Sequence, residues 1–177
     1  MNFGEDLVRV HKMMTRGLEV STTHSADLMT GFDRYIRALI NVLHVHHHGE
    51  DTLCWPTLRR WMPSAPYATL VDQHATLSEG LNAAEGARKA RDWAAVHMHL
   101  DGVTRLWREH IGIEEGAFTV EATARAMPDE EHDRLTRRLV RHAQLNSRPP
   151  FLVLASARTG FTMPPYPAAS AARRSAR

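Results

Sequence analysis

Through the first 145 residues, apolar side chains recur at intervals of three and four while Gly and Pro stay sparse. That is the spacing of helices that bury one face; strands would alternate at two. The chain therefore reads as all-α. One helix is predicted from Gly4 to Val20, and the polar Ser21 to Ser25 stretch separates it from a long second helix that reaches Trp55. Pro56 cannot donate the backbone hydrogen bond a helix interior needs, so the helix ends or kinks there, before a loop near residues 62 to 66. A third helix spans about Tyr67 to Ala90, and a fourth runs from Asp92, a good N-cap, to about Ala126. Pro128 punctuates the chain, Asp129 to Leu145 reads as an Arg-rich amphipathic helix, and Pro149, Pro150, Pro164, Pro165 and Pro167 exclude a long regular element after it. The expected architecture is an up-down-up-down antiparallel four-helix bundle over residues 1–127. An accessory C-terminal helix over 128–146 and a Pro-rich, basic, partly disordered tail over 147–177 follow, the tail packing through Phe151, Leu152 and Leu154.

Position on these helices separates one set of histidines from the rest. The inward stripe of the first helix is Leu7, His11, Met14, Leu18, and that of the second is Leu28, Phe32, Leu39, Leu43, His46, Glu50, Leu53. The second stripe selects His46 from its neighbours His44, His47 and His48. The third stripe is Leu70, His74, Leu77, Leu81, and the fourth is Val96, Leu100, Val103, Trp107, His110, Glu114, Phe118. Each helix thus sends one imidazole into the interior, and two of them add a carboxylate one turn later. His46-His-His-Gly-Glu50-Asp51 and His110-Ile-Gly-Ile-Glu114-Glu115 share the form His-x-x-x-Glu-acidic. Residues four apart lie on one face about 6 Å apart, so an imidazole and a carboxylate in this spacing can close on one metal or span two.

A buried ionised carboxylate is expensive unless it is paired or bound to a cation. Four imidazoles and two carboxylates inside one bundle therefore point to a metal. Cys54 is the only cysteine, which excludes a disulfide within the chain and any Cys-rich zinc or iron-sulfur site. Imidazole and carboxylate together suit iron, zinc, manganese or copper. The layers also match along the bundle: His46 and His74 lie roughly 17 and 11 Å from the turn between their helices. His11 and His46 match less well unless the first helix overruns or the second begins late. His47, His48, Asp51, His99 and Glu115 are candidates for outer partners or substitute ligands. His24, His44, His97, His132 and His142 read as ordinary core or surface residues.

The order His, then His-x-x-x-Glu, then His, then His-x-x-x-Glu, with Leu53-Cys54-Trp55-Pro56 closing the second motif, resembles the hemerythrin-like (HHE cation-binding) family over residues 5 to 125. The resemblance implies two iron ions in a non-haem di-iron centre, bridged by carboxylate and by oxo or hydroxo groups. Glu50 and Glu114 would be the bridging carboxylates, with His11, His46, His74 and His110 as terminal ligands. The chain departs from the oxygen-carrying hemerythrins, which place two His one turn apart on the third helix, because Ser78 stands one turn after His74. The fourth-helix carboxylate of those carriers lies five residues beyond its His and would select Glu115. HHE relatives use the fourth position and select Glu114.

The function this implies is binding of, or reaction with, O2, peroxide or NO in a sensing, scavenging or redox role, with Leu106 and Trp107 as apolar walls of the ligand position. Rival readings are a di-iron enzyme that disproportionates peroxide and a metal-free helical interaction module. The Glu-x-x-His pairs of ferritin-like oxidases and the His-Glu-x-x-His of zinc hydrolases do not occur. A net charge of +2, with the basic residues dispersed except at Arg173, Arg174 and Arg177, argues against a nucleic-acid partner. Apolar runs fall well short of the roughly 20 residues a membrane span needs. The acidic start, Glu5 and Asp6, does not resemble a secretory signal, so a cytoplasmic protein is expected.

Overall fold

The computed structural model describes residues 2–24 and 31–146, and these form helices joined by short turns, with no strand among them. Leu28, Phe151, Leu152, Leu154, the three terminal arginines and the whole 147–177 tail lie outside the described residues. The bundle is built from α1 (Phe3–Thr23), α2 (Phe32–Gly49), α4 (Tyr67–Lys89) and α5 (Trp93–Ala117). Each touches the next around the ring, α1 closing back on α5, as an up-down-up-down antiparallel bundle requires. Between α2 and α4 the chain makes a π-helical turn (Glu50–Cys54) and a short α3 (Trp55–Leu58). After α5 come α6 (Val120–Ala126), against α1, and α7 (Asp129–Asn146), against α2 and the π turn.

The stripes fix which faces meet. Leu7, His11, Met14 and Leu18 of α1 are buried, as are Leu70, His74, Leu77 and Leu81 of α4 and every member of the α5 stripe from Val96 to Glu114. The apolar core divides in two. One cluster, around Leu18, Ile36, Leu43, Leu81, Leu100 and Trp107, fills one half of the bundle. A second, around Leu7, Trp55, Leu58, Leu70, Phe118 and Leu135, fills the other.

Three boundaries differ from expectation, each for a local reason. The first helix overruns to Thr23 and α2 begins only after Gly31, whose φ of 87° is left-handed backbone that glycine adopts without strain. His11 then lies about 18 Å from the end of α1 and His46 about 21 Å from the start of α2 at 1.5 Å per residue, so their layers coincide. At Pro56 the helical path does not stop. The π turn just before it passes the Trp55 N–H to the Glu50 carbonyl, and the Thr57 hydroxyl donates to the Leu53 carbonyl at 2.7 Å, so the helical path continues to Leu58.

The fourth helix does not reach Ala126. It ends at Ala117 because Phe118 turns into the core, stacked on Trp55 at 5.3 Å and edge-on to Phe3 at 6.2 Å, and Thr119 caps a new helix by accepting from the Ala122 N–H.

At this break the start of α1 packs tightly on the backbone of residues 118–120. A Cβ on Gly4 would lie 2.5 Å from the Phe118 carbonyl oxygen, a backbone atom that cannot swing aside. Gly4→Val is therefore expected to destabilise the protein by about 1–3 kcal/mol through overpacking. Gly86→Ala, on an open face of α4 with nothing within 4 Å, should be neutral or stabilise by roughly 0.5–1 kcal/mol. Urea unfolding of both variants measures the contrast.

Candidate metal centre

Between the two apolar clusters lies a polar layer to which four helices contribute. His11 comes from α1, His46 and His47 from the end of α2, Glu50 from the start of the π turn, His74 from α4, and His110 and Glu114 from α5. His11, His110 and Glu114 are fully buried, Glu50, His47 and His74 are 2% exposed, and the His46 side chain is 10% exposed. The six residues selected by the stripes are thus gathered in one interior place.

Outer partners fix three of the imidazoles. The Nδ1–H of His11 donates to Glu115 at 2.9 Å and that of His74 to Asp51 at 2.8 Å. A carboxylate only accepts, so these rings carry the proton on Nδ1 and turn Nε2 inward. His110 is held the same way, donating from Nδ1 to the Gln73 side-chain oxygen at 3.2 Å. The acidic residue that ends each His-x-x-x-Glu-acidic motif therefore grips a histidine on a different helix. Gln73 has no counterpart in that pattern, and its position next to His74 is the only sequence signal for it. His48 faces α7, stacked on His142 at 5.1 Å, and His132, though buried, is satisfied by the Phe3 N–H and the Thr123 carbonyl.

Inside, the nitrogens and oxygens face a common interior rather than one another. His46 Nε2 is 3.1 Å from Glu50 Oε1, and His74 Nε2 is 3.4 Å from Glu50 Oε2. Glu114 Oε2 lies 3.2 Å from both His11 Nε2 and His110 Nε2. None of these carboxylate oxygens, nor His11 Nε2 or His46 Nε2, has a hydrogen-bond partner. His74 and His110 bring Nε2 to Nε2 at 3.3 Å, within reach of a single shared proton. Such an arrangement is unfavourable unless a proton or a cation lies between the groups. Two overlapping sets, one of His47, Glu50, His74 and His110 and one of His11, His46 and Glu50, each bring their ligand atoms within 4.8 Å of one another, and Glu50 belongs to both.

Electrostatics agree with a site that calls for positive charge. Burial, then the nearby Glu114 charge, push the Glu50 carboxyl up to about 8. Glu114 is equally buried, but its contacts with His11 and His110 hold it well below the usual carboxylate range. Burial opposes charge on His74 too, yet Asp51 and Glu50 together raise it to about 9. Burial and the surrounding imidazoles depress His46 and His47 well below 6.5 and keep them neutral.

Two indoles close the layer. Trp107 is fully buried and edge-on to His11 at 5.3 Å, its N–H donating to the Thr15 hydroxyl at 2.9 Å. Trp55 lies parallel to His74 at 6.1 Å on the opposite side. Leu106, paired with Trp107 as a wall on sequence grounds, is only partly buried and packs against the first apolar cluster.

A buried layer of imidazoles and carboxylates across an antiparallel helical bundle defines a cation-binding helical domain. In agreement, the hemerythrin HHE cation-binding domain matches residues 2–122, and the chain belongs to that family. No curated protein and no solved structure matched the chain. No helix among the described residues is long and apolar enough to cross a membrane.

Two expectations follow. Ala at His46 should lower bound metal strongly, while Ala at half-buried His44, which belongs to neither ligand set, should leave it nearly unchanged, as elemental analysis would show. The second concerns pH. Glu50 and His74 have folded values above their unfolded ones, so the stability they contribute is present at low pH and lost as pH rises through about 8 and about 9. The depressed values of His46 and His47 act in the opposite sense, but only below about 6.5. Chelator-treated protein should therefore lose thermal stability between pH 6.5 and 9, and metal-loaded protein should lose less, because the cation replaces the protons.

Proposed function

We propose that the chain is a non-haem di-iron protein that binds or reacts with O2, peroxide or NO in a sensing, scavenging or redox role. One observation carries the reading: the carboxylate oxygens of Glu50 and Glu114 and nitrogens of His11, His46 and His47, buried and without hydrogen-bond partners, gather with His74 and His110 around Glu50, whose two oxygens face nitrogens of different helices. A carboxylate so placed suits a bridge between two ions. His11 and His46 would hold one ion and His74 and His110 the other, with Glu50 and Glu114 shared. The nitrogen and oxygen donor set admits iron, zinc, manganese or copper, and the resemblance to the hemerythrins is what favours iron among them.

Bound iron would supply one-electron redox chemistry and an affinity for small diatomic ligands. The chain's own contribution is positional. Asp51, Glu115 and Gln73 fix the rings, Glu50 and Glu114 balance cationic charge, and Trp107 and Trp55 exclude bulk water from both sides of the layer.

Elemental analysis of protein purified without a His tag, with its absorption spectrum, tests the proposal. About two irons per chain are expected, with near-ultraviolet bands that change on adding O2, peroxide or NO to the reduced protein. Zinc alone, or no metal after reconstitution with ferrous iron, would overturn it. Sustained consumption of hydrogen peroxide by the iron-loaded protein would assign it to the peroxide-disproportionating enzymes instead of the binding proteins.

A further inference from the structure

His47 is the most unusual side chain in the layer. It is 2% exposed, and neither ring nitrogen has a hydrogen-bond partner. An imidazole must place both a donor and an acceptor, and leaving both unmade in a buried position is costly. The other four imidazoles differ. Outer groups hold His11, His74 and His110 through Nδ1, and His46 faces Glu50. Nothing holds His47 except the groups of the layer itself.

Its surroundings define what it can reach. The ring stacks on His74 with centroids 4.5 Å apart and stands edge-on to His110 at 5.6 Å. One of its nitrogens falls within 4.8 Å of the ligand atoms of Glu50, His74 and His110. His46, its neighbour in sequence, joins a different set, with His11 and Glu50. Helix geometry explains how adjacent residues serve opposite sides. At 100° per residue, His46 and His47 lie on either side of Glu50, one turn before it at four and three residues, so both are its neighbours on the helix surface.

We infer that His47 is a fifth imidazole ligand, bound to the ion held by His74 and His110. The centre is then asymmetric, with two nitrogens on the His11 side and three on the His74 side, and α2 contributes to both. Ser78 leaves α4 with a single imidazole, and α2 supplies the additional nitrogen.

The inference rests on the metal-binding reading above, and the experiment separates their failures. Wild type, His47→Gln and His46→Gln are loaded with 57Fe(II) without oxygen, and iron content, affinity and Mössbauer spectra are recorded. Gln keeps much of the volume and leaves the fold intact enough to compare, which far-ultraviolet circular dichroism checks. In His47→Gln one of the two iron signals should shift or disappear, and affinity for that ion should fall by more than the roughly 10–100-fold that loss of an outer partner costs. His46→Gln should affect the other signal. Added imidazole should restore the missing signal in His47→Gly, which a purely structural role would not allow. Wild type binding two irons while His47→Gln binds two with unchanged affinity and spectrum would overturn the ligand assignment alone. Wild type binding no iron would overturn the metal-binding reading and this one with it.

Discussion

Two carboxylates, Glu50 and Glu114, lie in the interior of a helical bundle without a hydrogen bond to any of their four oxygens. In an apolar core this would favour unfolding or protonation, since desolvating a carboxylate costs more than any single packing contact returns. Five imidazoles gather around them, yet imidazoles are also dehydrated there, and burial drives two of them toward the neutral state. Without a cation the layer must keep protons on buried groups, Glu50 and His74 among them. A cation can take the place of those protons, and the rest of the structure reads as a frame that holds the ligand atoms in place for one.

The frame works from outside inward. Asp51 and Glu115 follow the interior glutamates directly in sequence, and a step of 100° around the helix carries each to the rim of the layer, where it meets the Nδ1–H of a histidine from another helix. Each motif thus supplies an inner oxygen and an outer clamp at adjacent positions. The π turn that begins at Glu50 widens the helix as the carboxylate enters the core and also accommodates Pro56 and Trp55. Trp55 then carries the second apolar cluster up to His74, as Trp107 carries the first up to His11. The polar layer is enclosed by the same side chains that hold the helices together.

α7 extends this logic beyond the bundle. It covers the end of α2 and the π turn, with Leu135 buried in the second cluster and His142 stacked on His48. The helix therefore rests on the segment that carries His46, His47 and Glu50. Its strongly polar sequence left that docking face difficult to read, because only Leu135 and Leu139 join the apolar cluster.

Periodicity determined most of the architecture, since a helix that buries one face must repeat its apolar residues at three and four whatever it packs against. The stripes fixed which faces of α1, α4 and α5 turn inward, and they turned His11, His46, Glu50, His74, His110 and Glu114 toward the interior without reference to any neighbour. Where a helix ends was less legible. Phe118 continues the α5 stripe in sequence, yet it ends the helix because Trp55, Tyr67 and Phe3, distant in the chain, form the pocket it enters. His47 escaped the stripe for a related reason: a stripe counts one line of residues along a helix, whereas a carboxylate has neighbours at both three and four positions before it. Only the packed bundle decided that His74 and His110 stand on the side His47 faces, because contacts between helices depend on rotation and depth, which no spacing within one helix contains.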